Sequence, residues 1–149
     1  MTAALLQVLL VEDDLGDAAL MENAFAGQRA SARLHHVADG AQALAFLRRE
    51  GVYGDAPRPD LILLDLNMPG IDGRQVLARV KADDQLKAIP VIVLTTSAAD
   101  TDIAASYLAH ANAYVTKPVN LDDFDRVVAE IRDFYGHTVA LPGRSGAAP

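Results

Sequence analysis

The stretch that decides the fold is LILLDLNMPGIDG, from Leu61 to Gly73. Its first four residues are aliphatic at consecutive positions, and a carboxylate follows them at Asp65. An alternating pattern would leave one face of a strand in water, whereas an uninterrupted apolar run indicates a strand that is buried on both faces. The segment from Val91 to Leu94 repeats this pattern. We therefore expect a sheet that is covered by helices on each side.

Short aliphatic runs alternate along the chain with longer stretches in which apolar residues recur three or four positions apart, which is typical of parallel strands and crossover helices. The predicted strands are Leu5 to Val11, Ala32 to Val37, Leu61 to Asp65, Pro90 to Thr95 and Ala113 to Thr116. The predicted helices are Leu15 to Phe25, Ala41 to Arg49, Gly73 to Ala82, Asp100 to His110 and Leu121 to Tyr135. The pattern predicts an α/β protein with five strand and helix units.

Glycines mark the expected helix ends, at Gly27, Gly51 and Gly136. The last helix is expected to start at an Asn120 cap and to bury one apolar stripe, which consists of Leu121, Phe124, Val127, Val128, Ile131 and Phe134. We expect one domain over residues 1–136 and a tail, 137–149, that has too little apolar material to fold alone and carries no output domain.

Composition excludes several classes of protein. The chain has no cysteine, which excludes disulfides and thiolate zinc sites, and its start lacks the pattern of a signal peptide. No apolar run is long enough to span a membrane, so a cytoplasmic location is the default expectation. A formal charge of -7, without a basic cluster, argues against nucleic-acid binding.

Polar residues follow the predicted strands at the edge of the sheet where ligands bind in open α/β folds. These residues are Glu12, Asp13 and Asp14 after the first strand, Asp65 and Asn67 at the third, Thr95 and Thr96 at the fourth, and Lys117 after the fifth. Adjacent carboxylates repel one another unless a cation is bound, and Mg²⁺ prefers oxygen ligands. We predict a Mg²⁺ site with carboxylates from Asp13 and Asp65, the Asn67 carbonyl, and Glu12 acting through water.

The same edge has the groups that phosphoryl transfer requires. An Asp65 oxygen can attack phosphorus if Lys117 and the metal neutralise the charge of the transferred group. The Thr95 hydroxyl can then hydrogen-bond the phosphoryl oxygens, and Tyr114 can rotate into the space that Thr95 leaves.

The segments VLLVEDD, LILLDLNMPGIDG, PVIVLTTS and AYVTKPV resemble the four signature segments of the bacterial response-regulator receiver family, in the same order. The resemblance covers about Val8 to Tyr135. It implies a doubly wound parallel sheet of order 2-1-3-4-5, an arrangement of which this family is a familiar example. It also implies that Asp65 is the phosphoacceptor, with a sensor histidine kinase as the donor and slow self-dephosphorylation, and that the Lys117 to Pro118 peptide is cis.

The TTS after the fourth strand, the NAYVTKPV segment and the sequence after the last helix are similar to single-domain regulators that are paired with phytochrome-type kinases. Thr96 and Asn112 depart from the commonest receiver pattern, which usually has a smaller residue and a glycine there. The face formed by the fourth helix, fifth strand and fifth helix is expected to support a homodimer. Its predicted residues are Ile103, Tyr107 and Leu108, together with the tail from Thr138 to Leu141.

Two other functions fit parts of the pattern. A phosphatase of the haloacid dehalogenase type also uses a strand-end aspartate and magnesium, but it usually has a second aspartate two residues later, where this chain has Asn67. A receiver that acts only as a scaffold is the other alternative, and the complete set of Asp13, Asp65, Thr95 and Lys117 argues against it. A dinucleotide-binding domain would need a G-x-G-x-x-G motif after the first strand, which is absent.

Overall fold

A computed structural model describes residues 5–26, 32–68, 70–96, 99–118, 120–138 and 140–141. The strands are β1 (Leu6–Val11), β2 (Ala32–Val37), β3 (Leu61–Leu64), β4 (Val91–Thr95) and β5 (Ala113–Thr116). The helices are α1 (Leu15–Ala26), α2 (Gly40–Arg48), α3 (Gly73–Ala82), α4 (Asp100–Leu108) and α5 (Leu121–Asp133). The five strands form one parallel sheet in the order β2-β1-β3-β4-β5, which confirms the predicted fold class and strand order.

Two apolar layers hold the sheet between the helices. One layer contains side chains of α2 and α3, and the other contains side chains of α1 and α5. Leu61 and Leu63 belong to the α1 and α5 layer, whereas Ile62 and Leu64 belong to the α2 and α3 layer. The uninterrupted apolar run of β3 therefore exists because both of its faces are buried. Neither layer includes a described side chain of α4, so that helix is the least anchored in the core.

Some helix ends differ from the sequence predictions. The Asn120 side chain accepts a hydrogen bond from the Asp123 amide at 2.9 Å, as predicted for the cap of α5. Gly136 was wrong as a stop signal, because a π-helical turn from Phe134 to Thr138 runs through it and it lacks the positive φ of a glycine cap. Phe134 is 49% exposed, so it does not belong to the buried stripe.

Residues 51–59, which lie between α2 and β3, begin with a short 3-10 helix, Gly51–Tyr53. The predicted stop at Gly27 lies outside the described residues, as do Val139 and 142–149 of the predicted tail. Leu141 is described, and it packs against the apolar layer beside α1 and α5.

The described backbone contains no cis peptide, so the expected cis bond before Pro118 was wrong; trans is the intrinsically more stable form of such a bond.

Gly73 places β3 and α3 against each other at the edge of the sheet. A Cβ atom on this residue would lie 2.1 Å from the carbonyl oxygen of Asp65 and 2.6 Å from the Cα atom of Leu66. Both neighbours are backbone atoms, which cannot move without shifting the strand end. The glycine in the motif therefore lets α3 start directly against the backbone that carries Asp65.

Candidate phosphoacceptor site

The ends of β1, β3, β4 and β5 bring the predicted site residues together. The backbone continues the sheet pairing one residue beyond the strands, since the Asp65 amide donates to the Val11 carbonyl at 3.0 Å. The Lys117 amide donates to the Thr95 carbonyl at 2.7 Å. These bonds fix Asp65 and Lys117 at the same edge of the sheet, so their side chains meet there.

Three carboxylates form a cluster at this edge. Glu12, Asp13 and Asp65 each place a carboxylate oxygen within 4.8 Å of the other two. Glu12 is 1% exposed and Asp65 is 6% exposed, while Asp13 is the most open of the three. Buried carboxylates at this separation repel one another, and oxygen ligands suit Mg²⁺. The cluster therefore fits a divalent cation, as the sequence predicted.

Asn67 makes two hydrogen bonds at this cluster, one from its backbone and one from its side chain. Its backbone amide donates to Asp65 Oδ1 at 3.2 Å, which holds one carboxylate oxygen toward the loop. Its side-chain amide donates to Thr95 Oγ1 at 3.2 Å. The predicted role of the Asn67 carbonyl as a metal ligand stays a prediction, whereas the contact of its side chain with Thr95 was missed in the sequence.

Lys117 is the cation of the site. Its Nζ atom lies 2.5 Å from Glu12 Oε2, 2.9 Å from Asp17 Oδ2 and 3.4 Å from Asp65 Oδ2. Burial raises the pKa of Glu12 to about 7, and the hydrogen bond from Lys117 opposes that rise. Burial alone would lower the pKa of Lys117, but hydrogen bonds to Glu12 and Asp17 outweigh it and raise the pKa. Lys117 therefore carries its positive charge at neutral pH.

Thr95 and Tyr114 lie on one face of the sheet. Thr95 is completely buried at the end of β4. Tyr114 of β5 pairs with Val93 of β4, and Val93 lies two residues before Thr95. Paired residues of parallel strands point to the same face, and so do residues two apart. Tyr114 is partly buried against the α2 and α3 layer, and its amide donates to the Tyr107 hydroxyl at 3.2 Å. The rotation predicted for Tyr114 stays a prediction.

Asp17 was not among the predicted site residues. It lies in the first turn of α1, where an acidic residue normally complements the positive end of the helix dipole. Its amide donates to Asp14 Oδ1 at 3.0 Å, while its own carboxylate binds Lys117. The only signal in the sequence was a fourth acid within six residues, Glu12 to Asp17, and that signal did not reveal the partner.

Comparisons with known proteins agree with this geometry. Residues 8–129 match the model of the response regulator receiver domain. The chain is 47% identical over 135 residues to response regulator Rcp1 of Synechocystis sp., and the aligned region covers 91% of this chain and 92% of the relative.

Two solved structures are similar over nearly their whole length. The phosphorylated cyanobacterial phytochrome response regulator RcpA has a TM-score of 0.88 at 47% identity, over 93% of this chain and 99% of that one. The Mn²⁺-bound form of Rcp1 has a TM-score of 0.84 at 46% identity, over 91% and 98%. With the sheet order, the acidic cluster and the strand-end lysine, these matches show that the chain belongs to the response regulator receiver family, whose members are signalling switches.

Proposed function

We propose that Asp65 accepts a phosphoryl group from the phosphohistidine of a sensor histidine kinase in a Mg²⁺-dependent reaction. A carboxylate oxygen of Asp65 forms the new bond to phosphorus, the bond from phosphorus to the histidine nitrogen breaks, and the leaving imidazole takes up a proton. The observation that carries the proposal is the position of Asp65. It is buried beside Glu12 and Asp13 and lies 3.4 Å from a lysine ammonium.

The other site residues support the transfer without forming bonds to phosphorus. Asp13, the Asn67 carbonyl and, through water, Glu12 would hold Mg²⁺ together with Asp65, and the ion would supply positive charge that neutralises the phosphoryl group. Lys117 supplies a second positive charge next to the acceptor. Slow hydrolysis of the acyl phosphate by water then returns the carboxylate and inorganic phosphate, so the protein is reset.

The switch is proposed to start at Thr95. Its hydroxyl now accepts a hydrogen bond from the Asn67 side chain, and it must turn toward Asp65 to bind a phosphoryl oxygen. The partly buried Tyr114 lies on the same face and can follow into the vacated space. α4, whose described side chains contribute to neither apolar layer, is the helix that can shift most easily between two arrangements.

Metal dependence is the first test of this proposal. Asp13→Asn is expected to weaken Mg²⁺ binding by at least about 10- to 100-fold, the usual cost of losing even an outer-shell partner of a metal site, since it removes one carboxylate ligand from the cluster. Titration calorimetry measures the affinity, and a chelator is expected to stop phosphorylation by a small phosphodonor. Asp14→Asn is the matched control, because it removes the same charge from the adjacent residue and asparagine can still cap α1. Equal Mg²⁺ affinity in the two variants would contradict the proposed ligand.

The kinase is proposed to be a phytochrome-type histidine kinase, because RcpA is a phytochrome response regulator and its structure is similar over 93% of this chain. An autophosphorylated phytochrome-type kinase is expected to transfer its phosphoryl group to this chain faster than a chemotaxis-type histidine kinase does. Radiolabelled phosphate followed over time on both proteins measures the two rates. Equal rates, or faster transfer from the chemotaxis-type kinase, would exclude the proposed partner.

A homodimer through the face of α4, β5 and α5 is also proposed. The described part of this face exposes large apolar side chains, with Leu108 at 81% and Tyr107 at 49%. The tail is proposed to belong to this face as well, although Leu141 also packs on the apolar layer of its own chain. Sedimentation is expected to give a lower mass for Leu108→Glu than for Val52→Glu, a control at a valine on the 3-10 helix that is 92% exposed. The same mass for both variants would exclude this interface.

A further inference from the structure

All three protons of the Lys117 ammonium already have carboxylate partners before any phosphoryl group arrives. A lysine ammonium has three donors and no acceptor. The partners are Glu12, Asp17 and Asp65, and the contact with Asp65 is the longest of the three. The Asp65 carboxylate, the proposed phosphoacceptor, therefore has the weakest of the three ionic contacts with the Lys117 ammonium. A phosphoryl oxygen on Asp65 can bind this ammonium only if one existing contact is given up.

The contact with Asp17 is the one most easily given up. Glu12 has a 2% exposed side chain and also accepts a hydrogen bond from the Asp14 amide, so water cannot readily take the place of the ammonium beside it. The Asp17 side chain is 29% exposed, so water can replace the ammonium there. The exchange breaks one N–H···O bond to Asp17 and forms one to a phosphoryl oxygen, and the ammonium keeps all of its protons.

We propose that Asp17 is a positioning residue that competes with the phosphoryl group for Lys117, and that it thereby restrains phosphorylation and shortens the phosphorylated state. The backbone of Asp17 is fixed in the first turn of α1 by its hydrogen bond to Asp14, so its carboxylate is held beside the ammonium. The competition stabilises the unphosphorylated state relative to the phosphorylated state. This inference rests on the proposed phosphorylation of Asp65.

Asp17→Asn tests the competition, because it keeps the shape of the side chain and removes its charge. With a small phosphodonor and Mg²⁺, intact-mass spectrometry is expected to show phosphorylation that is about two- to fivefold faster, the range for a partly exposed ion pair. After removal of the donor, the phosphoryl group is expected to be lost more slowly by a similar factor. Asp17→Glu restores the charge and is expected to return both rates toward those of the native chain.

Glu22→Gln is the matched control, since it removes the same charge from α1 at a residue whose described ion pair, 3.7 Å long, is with His36 and not with Lys117. Its rates are expected to equal those of the native chain. Asp17→Ala is prepared in parallel, and thermal unfolding shows whether each variant is folded. If Asp17→Asn and Asp17→Ala are phosphorylated at the native rate or more slowly, the inference is wrong. If the native chain itself accepts no phosphoryl group, the proposed phosphorylation of Asp65 is wrong. Failure of the Asp17 inference alone therefore differs from failure of the proposed function, because in the first case the native chain is still phosphorylated.

Discussion

Replacing Lys117 with methionine is expected to slow the phosphorylation of this protein by about a hundred- to a thousandfold, the usual effect of removing one preorganised charge-stabilising donor. Methionine has a similar length and fills the same buried space, but it carries no ammonium. Lys117 Nζ is the described cation that lies 3.4 Å from the Asp65 carboxylate. Without it, the negative charge of an approaching phosphoryl group meets buried carboxylates that lack this counter-ion. Initial rates with a small phosphodonor at saturating Mg²⁺ measure the effect.

Lys87→Met is the control for this experiment. Lys87 is exposed and pairs with Asp84 at 2.9 Å on the surface, so its replacement makes the same chemical change away from the site. Its rate is expected to stay within about twofold of the native rate, since exposed ion pairs contribute little. A Lys117→Met rate close to that of Lys87→Met would show that Lys117 does not stabilise the transferred group.

The sequence was sufficient for the fold because the signals were local and consistent. Uninterrupted aliphatic runs identified the central strands, and the crossover helices between them required parallel pairing. The carboxyl ends of parallel strands share one edge, so Asp65 and Lys117, 52 residues apart in the chain, could be placed together from the sequence alone. The clustering of Glu12, Asp13 and Asp65 follows from the same rule.

Contacts that depend on helix placement could not be predicted in this way. The contact between Asp17 and Lys117 depends on where α1 leaves the sheet, and a first-turn acid has an ordinary explanation in the helix dipole. The departure from the family pattern at Asn112 also has a local reason that is visible only in the structure. Its side-chain oxygen accepts hydrogen bonds from the Val91 amide at 2.9 Å and from Lys81 Nζ at 3.2 Å.

The end of α5 was predicted wrongly because the pattern continued beyond the α-helix. Phe134 has the spacing of the buried stripe, but the chain changes to a π-helical turn at this residue. The wider turn moves the side chain off the stripe and leaves it about half exposed. Periodicity alone assumes a constant 3.6 residues per turn, so it cannot detect such a change.

Asp65→Asn is expected to abolish stable phosphorylation, the largest effect of any single change in this site. An asparagine amide fits the same space, but it is a poor nucleophile and cannot form the acyl phosphate. The substitution also removes one carboxylate from the metal cluster and one partner from Lys117. Asp55→Asn, in the exposed loop after the 3-10 helix, is the matched control and is expected to be phosphorylated like the native chain.

The most direct measurement of the central claim is intact-mass spectrometry after incubation with a small phosphodonor, on the native chain, Asp65→Asn and Asp55→Asn, each with and without Mg²⁺. The predicted result is one added phosphoryl group on the native chain and on Asp55→Asn, only when Mg²⁺ is present, and none on Asp65→Asn. A phosphoryl group on Asp65→Asn at the native level, or none on the native chain under any condition, would contradict the assignment of Asp65 as the phosphoacceptor.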